Sequence, residues 1–233
     1  MTLPDLALQI VYARLGWAVV AAAIVCALWR GPALTRPLLA AIMAAALVAM
    51  ALPGQLSPAW WLGLAFQYPS GLLVGCCALR LFERWHGIRR SRAMPHTLAG
   101  VLVVCGTLLY LDTFGLLARG FYYAGFWPVL TPLAAALGAA ACALAVVRGH
   151  ARSPAAAMLG AIALFALLRL PSGNLWDAML DPLLCGWAVF TLAAGALRKS
   201  GRRATDPVAG TPESPLTPVL QPAPVEQFSS VKE

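Results

Sequence analysis

The feature that most constrains this chain is a series of long apolar runs. They begin almost at Met1 and end near residue 197, with charged or Pro/Gly-rich breaks between them. Runs of about 17 to 24 residues can cross a ~30 Å hydrocarbon core as helices. In lipid a single segment must satisfy its own backbone polar groups, and a helix does so. Spans are expected near residues 7–29, 37–53, 59–81, 96–118, 128–147, 154–170 and 182–197. The fold class read from this pattern is an all-α polytopic membrane protein with about seven transmembrane helices. Composition agrees: 61% of residues are hydrophobic and 11% charged, where a soluble domain carries roughly a quarter charged residues. No basic segment precedes the first apolar run, so an uncleaved first span is expected rather than a signal peptide.

The net charge of +8 does not point to nucleic acid once the basic residues are placed. Arg30 and Arg36 fall in the first connection, Arg80, Arg84, Arg89, Arg90 and Arg92 around the third, and Arg148 and Arg152 in the fifth. Arg198, Lys199, Arg202 and Arg203 follow the last span. The other connections and their flanks hold only Arg14, Arg119 and Arg169. The positive-inside rule then places the N-terminus outside and the C-terminus in the cytoplasm, and a multi-pass protein of a bacterial inner membrane is expected. Trp60, Trp61, Phe121, Tyr122, Tyr123, Trp127 and Trp176 cluster at the outer face, with Trp29 and Trp85 at the inner one, as aromatic belts do. Residues 1–200 therefore read as a helical bundle. From Gly201 to Glu233 the chain becomes polar and proline-rich, and a disordered cytoplasmic tail is expected there.

The segment LLRLPSGNLWDAMLDPLLCG, residues 167–186, sets charge between two apolar runs. Asn174 is placed to cap a short helix with Asp177 in its first turn, and Pro182 suits a first helical position with Asp181 as the cap. A short helix lying in the outer interface is expected near 174–181. Counting 1.5 Å per residue from the cytoplasmic end of each span puts Arg14, Gln67, Asp112, Arg169 and Asp181 at similar depths of ~21 to 24 Å. Tyr12, Tyr68 and Tyr110 fall near the same layer. Arginine can extend to the headgroups, but aspartate cannot. Asp112 therefore needs a partner, a watery cavity or a proton, and Arg14 or Arg169 is expected to pair with it. The candidate site is this ion-pair or ligand-binding layer: Arg14, Gln67, Tyr68, Asp112, Arg119, Arg169, Asp177 and Asp181.

Several chemistries find no support. YPSG at 68–71 and LPSG at 170–173 lack the leading glycine of a Gly-x-Ser-Gly nucleophile motif. His86, His96 and His150 all sit at the opposite side, ~20 Å away. Both lysines, Lys199 and Lys232, lie past the last span, so no Schiff base can form within the bundle. The six cysteines all lie in apolar runs and read as packing residues rather than disulfides or metal ligands. Gly71 and Gly75, and the ladder Ala134, Gly138 and Cys142, suit close helix packing, and Pro69 a kink. No metal and no cofactor is expected. The expected partners are the bilayer itself and a lipid or membrane-protein partner, without nucleic acid.

The functional expectation is an integral membrane binding or accessory protein. Its polar pocket in the outer leaflet would take a lipid headgroup, a small polar ligand or a partner helix. A membrane enzyme acting on an extracytoplasmic lipid or glycan, with Asp112 as acid or base, is the alternative. A transporter is a further one, disfavoured because no charge falls near the midplane.

Overall fold

Helix starts and stops in this chain follow the capping chemistry of its breaks. A computed structural model describes residues 4–31, 34–88, 94–117 and 119–205, with side chains as far as 198. Helix α1 (Leu6–Leu28) is capped by Asp5, which accepts from the Ala7 N–H at 2.9 Å. Helix α2 (Arg36–Ala51) carries a proline in its first turn, and a 3₁₀ turn at Gly54–Leu56 follows it. Helix α3 (Pro58–Phe66) is capped by Ser57, and α4 (Gly71–His86) by Ser70. Then come α5 (His96–Thr113), α6 (Phe121–Ala124), α7 (Leu130–Val147), α8 (Arg152–Leu168), α9 (Leu175–Met179) and α10 (Pro182–Thr205). All regular structure among the described residues is helical. The chain divides into a unit at Met1–Ala196, which holds everything discussed below, and a second at Leu197–Glu233.

Among the described residues, three helices are long and apolar enough to cross a membrane: Leu6–Leu28, His96–Thr113 and Leu130–Val147. Arg36–Ala51, Arg152–Leu168 and Pro182–Arg198 are apolar but shorter. The run expected at 59–81 is not one helix with a kink at Pro69. It is two, α3 and α4, separated by residues 67–70. Proline disfavours helical backbone at the residue before it, here Tyr68, and Gln67 takes a positive φ of 59°. The run expected at 96–118 also stops early, at Thr113, where Gly115 turns the chain with a φ of 77°. Helix α10 continues to Thr205, so the boundary expected at 201 falls inside a helix. Arg89, Arg90 and Arg92 of the basic connection, and the tail beyond 205, lie outside the described residues.

Helix α4 is the centre of the unit. Its Leu72, Leu73 and Cys76 join Trp17 of α1, Leu102 of α5, Ala157 of α8 and Leu184 of α10 in the largest buried cluster. A second cluster sets Ala135 of α7 against Ile162 and Phe165 of α8 and Ala178 of α9. A third joins α1 and α2 through Ala22, Cys26 and Leu39, with Leu81 of α4. The seam between α4 and α8 is built from small residues. A Cβ on Gly71 would stand 3.1 Å from Ala161 Cα, and one on Gly75 would stand 3.2 Å from Ala157 Cα. The pairing runs antiparallel, four residues apart on each helix, as small-xxx-small packing requires. On α7 the buried positions are Thr131, Ala135 and Cys142; Ala134 of the expected ladder is exposed.

This seam yields a stability test. Gly75→Leu should drive α4 and α8 apart and cost about 1–3 kcal/mol, the usual penalty for overfilling a packed interface. Gly100 of α5 has nothing within 4 Å of its would-be Cβ. Gly100→Ala should therefore be neutral or gain up to about 1 kcal/mol through helix propensity. Melting curves of the detergent-solubilised protein check both.

Candidate functional site

A helix broken inside a bundle leaves backbone polar groups that other elements must satisfy. At residues 67–70 they do. The Gln67 N–H closes α3 on the Gly63 carbonyl at 3.0 Å. The Tyr12 hydroxyl of α1 donates to the Pro69 carbonyl at 2.8 Å. The Ser70 N–H donates to Asp181 Oδ2 at 2.8 Å, and Ser70 Oγ accepts from the Leu73 N–H at 3.1 Å. The other oxygen of Asp181, Oδ1, accepts from the Leu184 N–H at 2.7 Å. Asp181 thus caps α10, as its place before Pro182 predicts, and simultaneously holds the start of α4. One buried carboxylate joins two helix N-termini.

The segment 169–174 turns back sharply. Helix α8 ends at Leu168, and Arg169 lies beyond it with a φ of 56°, rather than inside the span. Pro171 two residues later prevents the helix from continuing. The Leu170–Pro171 peptide is cis, and its Pro171 carbonyl accepts from Gln9 Nε2 at 2.9 Å. Asn174, fully buried, caps α9 by accepting from the Trp176 N–H at 2.9 Å, and its amide donates to the Tyr122 carbonyl at 3.2 Å. Trp176 Nε1 reaches the Phe121 carbonyl at 3.0 Å. Helices α6 and α9 are laced together by these bonds.

Between the broken helix and this lacing lies a cleft of about 290 Å³. Its polar lining comes from Gln67, Tyr68, Tyr110, Tyr122, Ser172 and Asp177, with Trp176, Asp181 and Gly106 alongside. Asp177 Oδ2 accepts from the Ser172 hydroxyl, and from the Tyr122 hydroxyl at 3.1 Å. Its Oδ1 has no hydrogen-bond partner among the described residues. Burial pushes the Asp177 carboxyl above its ordinary value, against the opposing pull of its two hydroxyl donors. The Tyr122 phenol is pushed up to about 12 by burial and by the Asp177 charge, so it remains a donor at neutral pH.

The chain matches no protein-family model, no curated protein and no solved structure.

Of the residues expected in one polar layer, the cleft gathers Gln67, Tyr68, Asp177 and Asp181. Arg14 is exposed and lines a separate groove of about 560 Å³ with Trp60 and Leu64, a groove that shares Gln67 and Tyr68 with the cleft. Arg169 folds back over the Phe165 ring, 5.1 Å from its centroid, on the α7–α8 side. Arg119 is exposed in the loop after α5. The expected pair between Asp112 and Arg14 or Arg169 does not form. Asp112 accepts instead from backbone: the Arg119 and Gly120 N–H groups at 2.7 and 3.0 Å on Oδ1, and the Tyr122 N–H at 3.2 Å on Oδ2. An early helix end brings its own loop back over the carboxylate, and amide donors replace the guanidinium. Both oxygens are occupied, so Asp112 is a clamp on the α5–α6 turn.

Tyr110, which falls near the expected layer, lines the cleft, and Ser172 and Trp176 join it although the depth count gives them no place there. The LPSG segment has no histidine base within reach, but the acceptor next to Ser172 is a carboxylate. Among the described residues no three His, Cys, Asp or Glu side chains converge to hold a metal.

Two outcomes are expected. Asp181→Ala should cost roughly 2–4 kcal/mol, combining a lost cap with a stranded Ser70 N–H; chemical denaturation in detergent measures it. Asp177 holds its proton to higher pH when folded than when unfolded. Its contribution to stability is thus complete in acid and lost as pH rises above about 4 through the folded value. Asp177→Asn should accordingly gain in melting temperature relative to the parent as pH increases, and a flat difference would contradict the burial of that charge.

Proposed function

We propose that this chain is an integral membrane binding or accessory protein whose cleft takes a lipid headgroup, a small polar ligand or a partner helix. The observation that carries the reading is the break between α3 and α4, with its backbone held by Tyr12 and Asp181 and its polar lining turned into a cleft. Such a break is tolerated at membrane depth only where it is buried in protein or lines a cavity. Elsewhere the helices turn large apolar side chains outward, among them Val48, Val104, Leu137 and Phe190. Apolar exposure of that extent on α2, α5, α7 and α10 suits lipid.

The arrangement proposed is about seven crossings in a bacterial inner membrane, N-terminus outside and C-terminus cytoplasmic, with residues from 201 as a tail. Helix α4 alone is ~24 Å long, short of a ~30 Å core, so α3 completes that crossing. Helix α9 then lies at the outer interface and the cleft opens to the extracytoplasmic side. The proposed site is the ligand-binding set Gln67, Tyr68, Asp177 and Asp181; Arg14, Asp112, Arg119 and Arg169 of the expected layer lie outside its lining.

A second reading, a transporter, draws on the same break, because discontinuous helices build substrate sites in transporters. An enzyme acting on an extracytoplasmic lipid or glycan would use Asp177, whose Oδ1 is open, rather than the occupied Asp112.

Reporter fusions after Arg92, Arg152 and Arg203 should read cytoplasmic, and those at Gln55, Ala124 and Gly173 extracytoplasmic. An extracytoplasmic signal after Arg92 would reverse the topology. Mass spectrometry of the intact protein released from detergent should find a retained ligand that Ala65→Leu, which enlarges an exposed side chain of the cleft lining, displaces.

A further inference from the structure

The charge balance of the cleft is one-sided in a chain that is otherwise strongly basic. Among the described residues its lining includes two carboxylates and no lysine, arginine or histidine, although the chain carries a net +8. Arg14 and Arg169 turn to other surfaces. Helix N-termini ordinarily favour anions, and α4 and α10 both begin here. That capacity is already used. Asp181 takes the Ser70 and Leu184 N–H groups, and Ser70 Oγ takes that of Leu73. Two helix ends worth roughly half a positive charge each are matched by one aspartate. Asp177 is then the uncompensated charge. Both of its hydrogen bonds fall on Oδ2, and Oδ1 has none among the described residues. The aromatic rings of Tyr68, Tyr110, Tyr122 and Trp176 surround the same space. Rings beside a partly buried carboxylate form a setting for a cation, since π-faces and carboxylate attract positive charge together.

We infer that the cleft binds the ammonium group of an amine-bearing ligand, with Asp177 Oδ1 as its counter-ion and the tyrosine and tryptophan rings as its walls. The inference rests on the binding-cleft reading above and narrows its ligand to a cation. A free amine and an amine-bearing lipid headgroup share this chemistry. An anionic headgroup or a free phosphate would meet Asp177 with no cation in the lining to oppose it.

Saturation-transfer NMR on the full-length protein in detergent at pH 8 tests this with ethanolamine as probe, and with glycerol and methyl phosphate as neutral and anionic comparisons. Ethanolamine should saturate, with the other two at least about tenfold weaker. Asp177→Asn should weaken ethanolamine by about tenfold or more, the usual scale for losing a charged hydrogen bond. Tyr110→Leu is a second variant that removes a wall without removing any hydrogen bond found among the described residues, and it too should weaken the probe. Phosphatidylethanolamine retained through purification in preference to phosphatidylglycerol would support the inference with a lipid as source. Equal retention, with free ethanolamine still saturating, would support it with a soluble amine. Glycerol or methyl phosphate binding as tightly as ethanolamine, with both variants weakening it, would overturn the cation inference and leave the cleft standing. No saturation by any probe, with both variants behaving as the parent, would overturn both.

Discussion

The rest of the structure depends on the carboxylate of Asp181. It is buried, and its two oxygens go to different helices: one to the Ser70 N–H before α4, the other to the Leu184 N–H in the first turn of α10. Without it the break at residues 67–70 would leave a donor unsatisfied in an apolar interior, at a cost of about 1–3 kcal/mol. With it, a helix can be interrupted in the middle of a bundle, and a cleft can exist where side chains would otherwise fill the space. That aspartate is spent on backbone, whereas Asp177 keeps one oxygen without a hydrogen-bond partner among the described residues.

Much of this was legible in the sequence, for local reasons. Apolar runs mark helices because burial and length are properties of the run itself. Asn174, Asp181 and Pro182 announce caps because capping involves residues two or three apart, and the structure has α9 and α10 beginning where those residues say. Gly71 and Gly75 announce a close seam because only small residues permit one, and the seam lies against Ala157 and Ala161.

What was not legible depends on where the chain turns back. Counting along straight helices put Asp112, Arg14 and Arg169 at one depth and implied an ion pair. Two early helix ends undo it. Thr113 ends α5 so that residues 119–122 fold over Asp112, and Leu168 ends α8 so that Arg169 swings outward onto Phe165. Backbone amides leave no trace in composition, so a carboxylate answered by amides looks unpaired on paper. The gathering of Tyr110, Tyr122, Ser172 and Asp177 is likewise a product of three separate turns, none of which any one motif encodes.

The glycine–alanine seam between α4 and α8 has a mechanical consequence. Gly71 and Gly75 carry no side chain, and Ala157 and Ala161 have none that can change rotamer, so this contact cannot loosen by degrees; the helices either touch or separate. The cleft wall that α6 and α9 supply is of another kind. There α6 and α9 are joined by amide and hydroxyl bonds to Tyr122, Asn174 and Trp176, with rings that can turn about two torsions. Ring rotation at Tyr122 and Trp176 can therefore reshape the cleft while the α4–α8 seam, which supplies none of its lining, keeps its spacing.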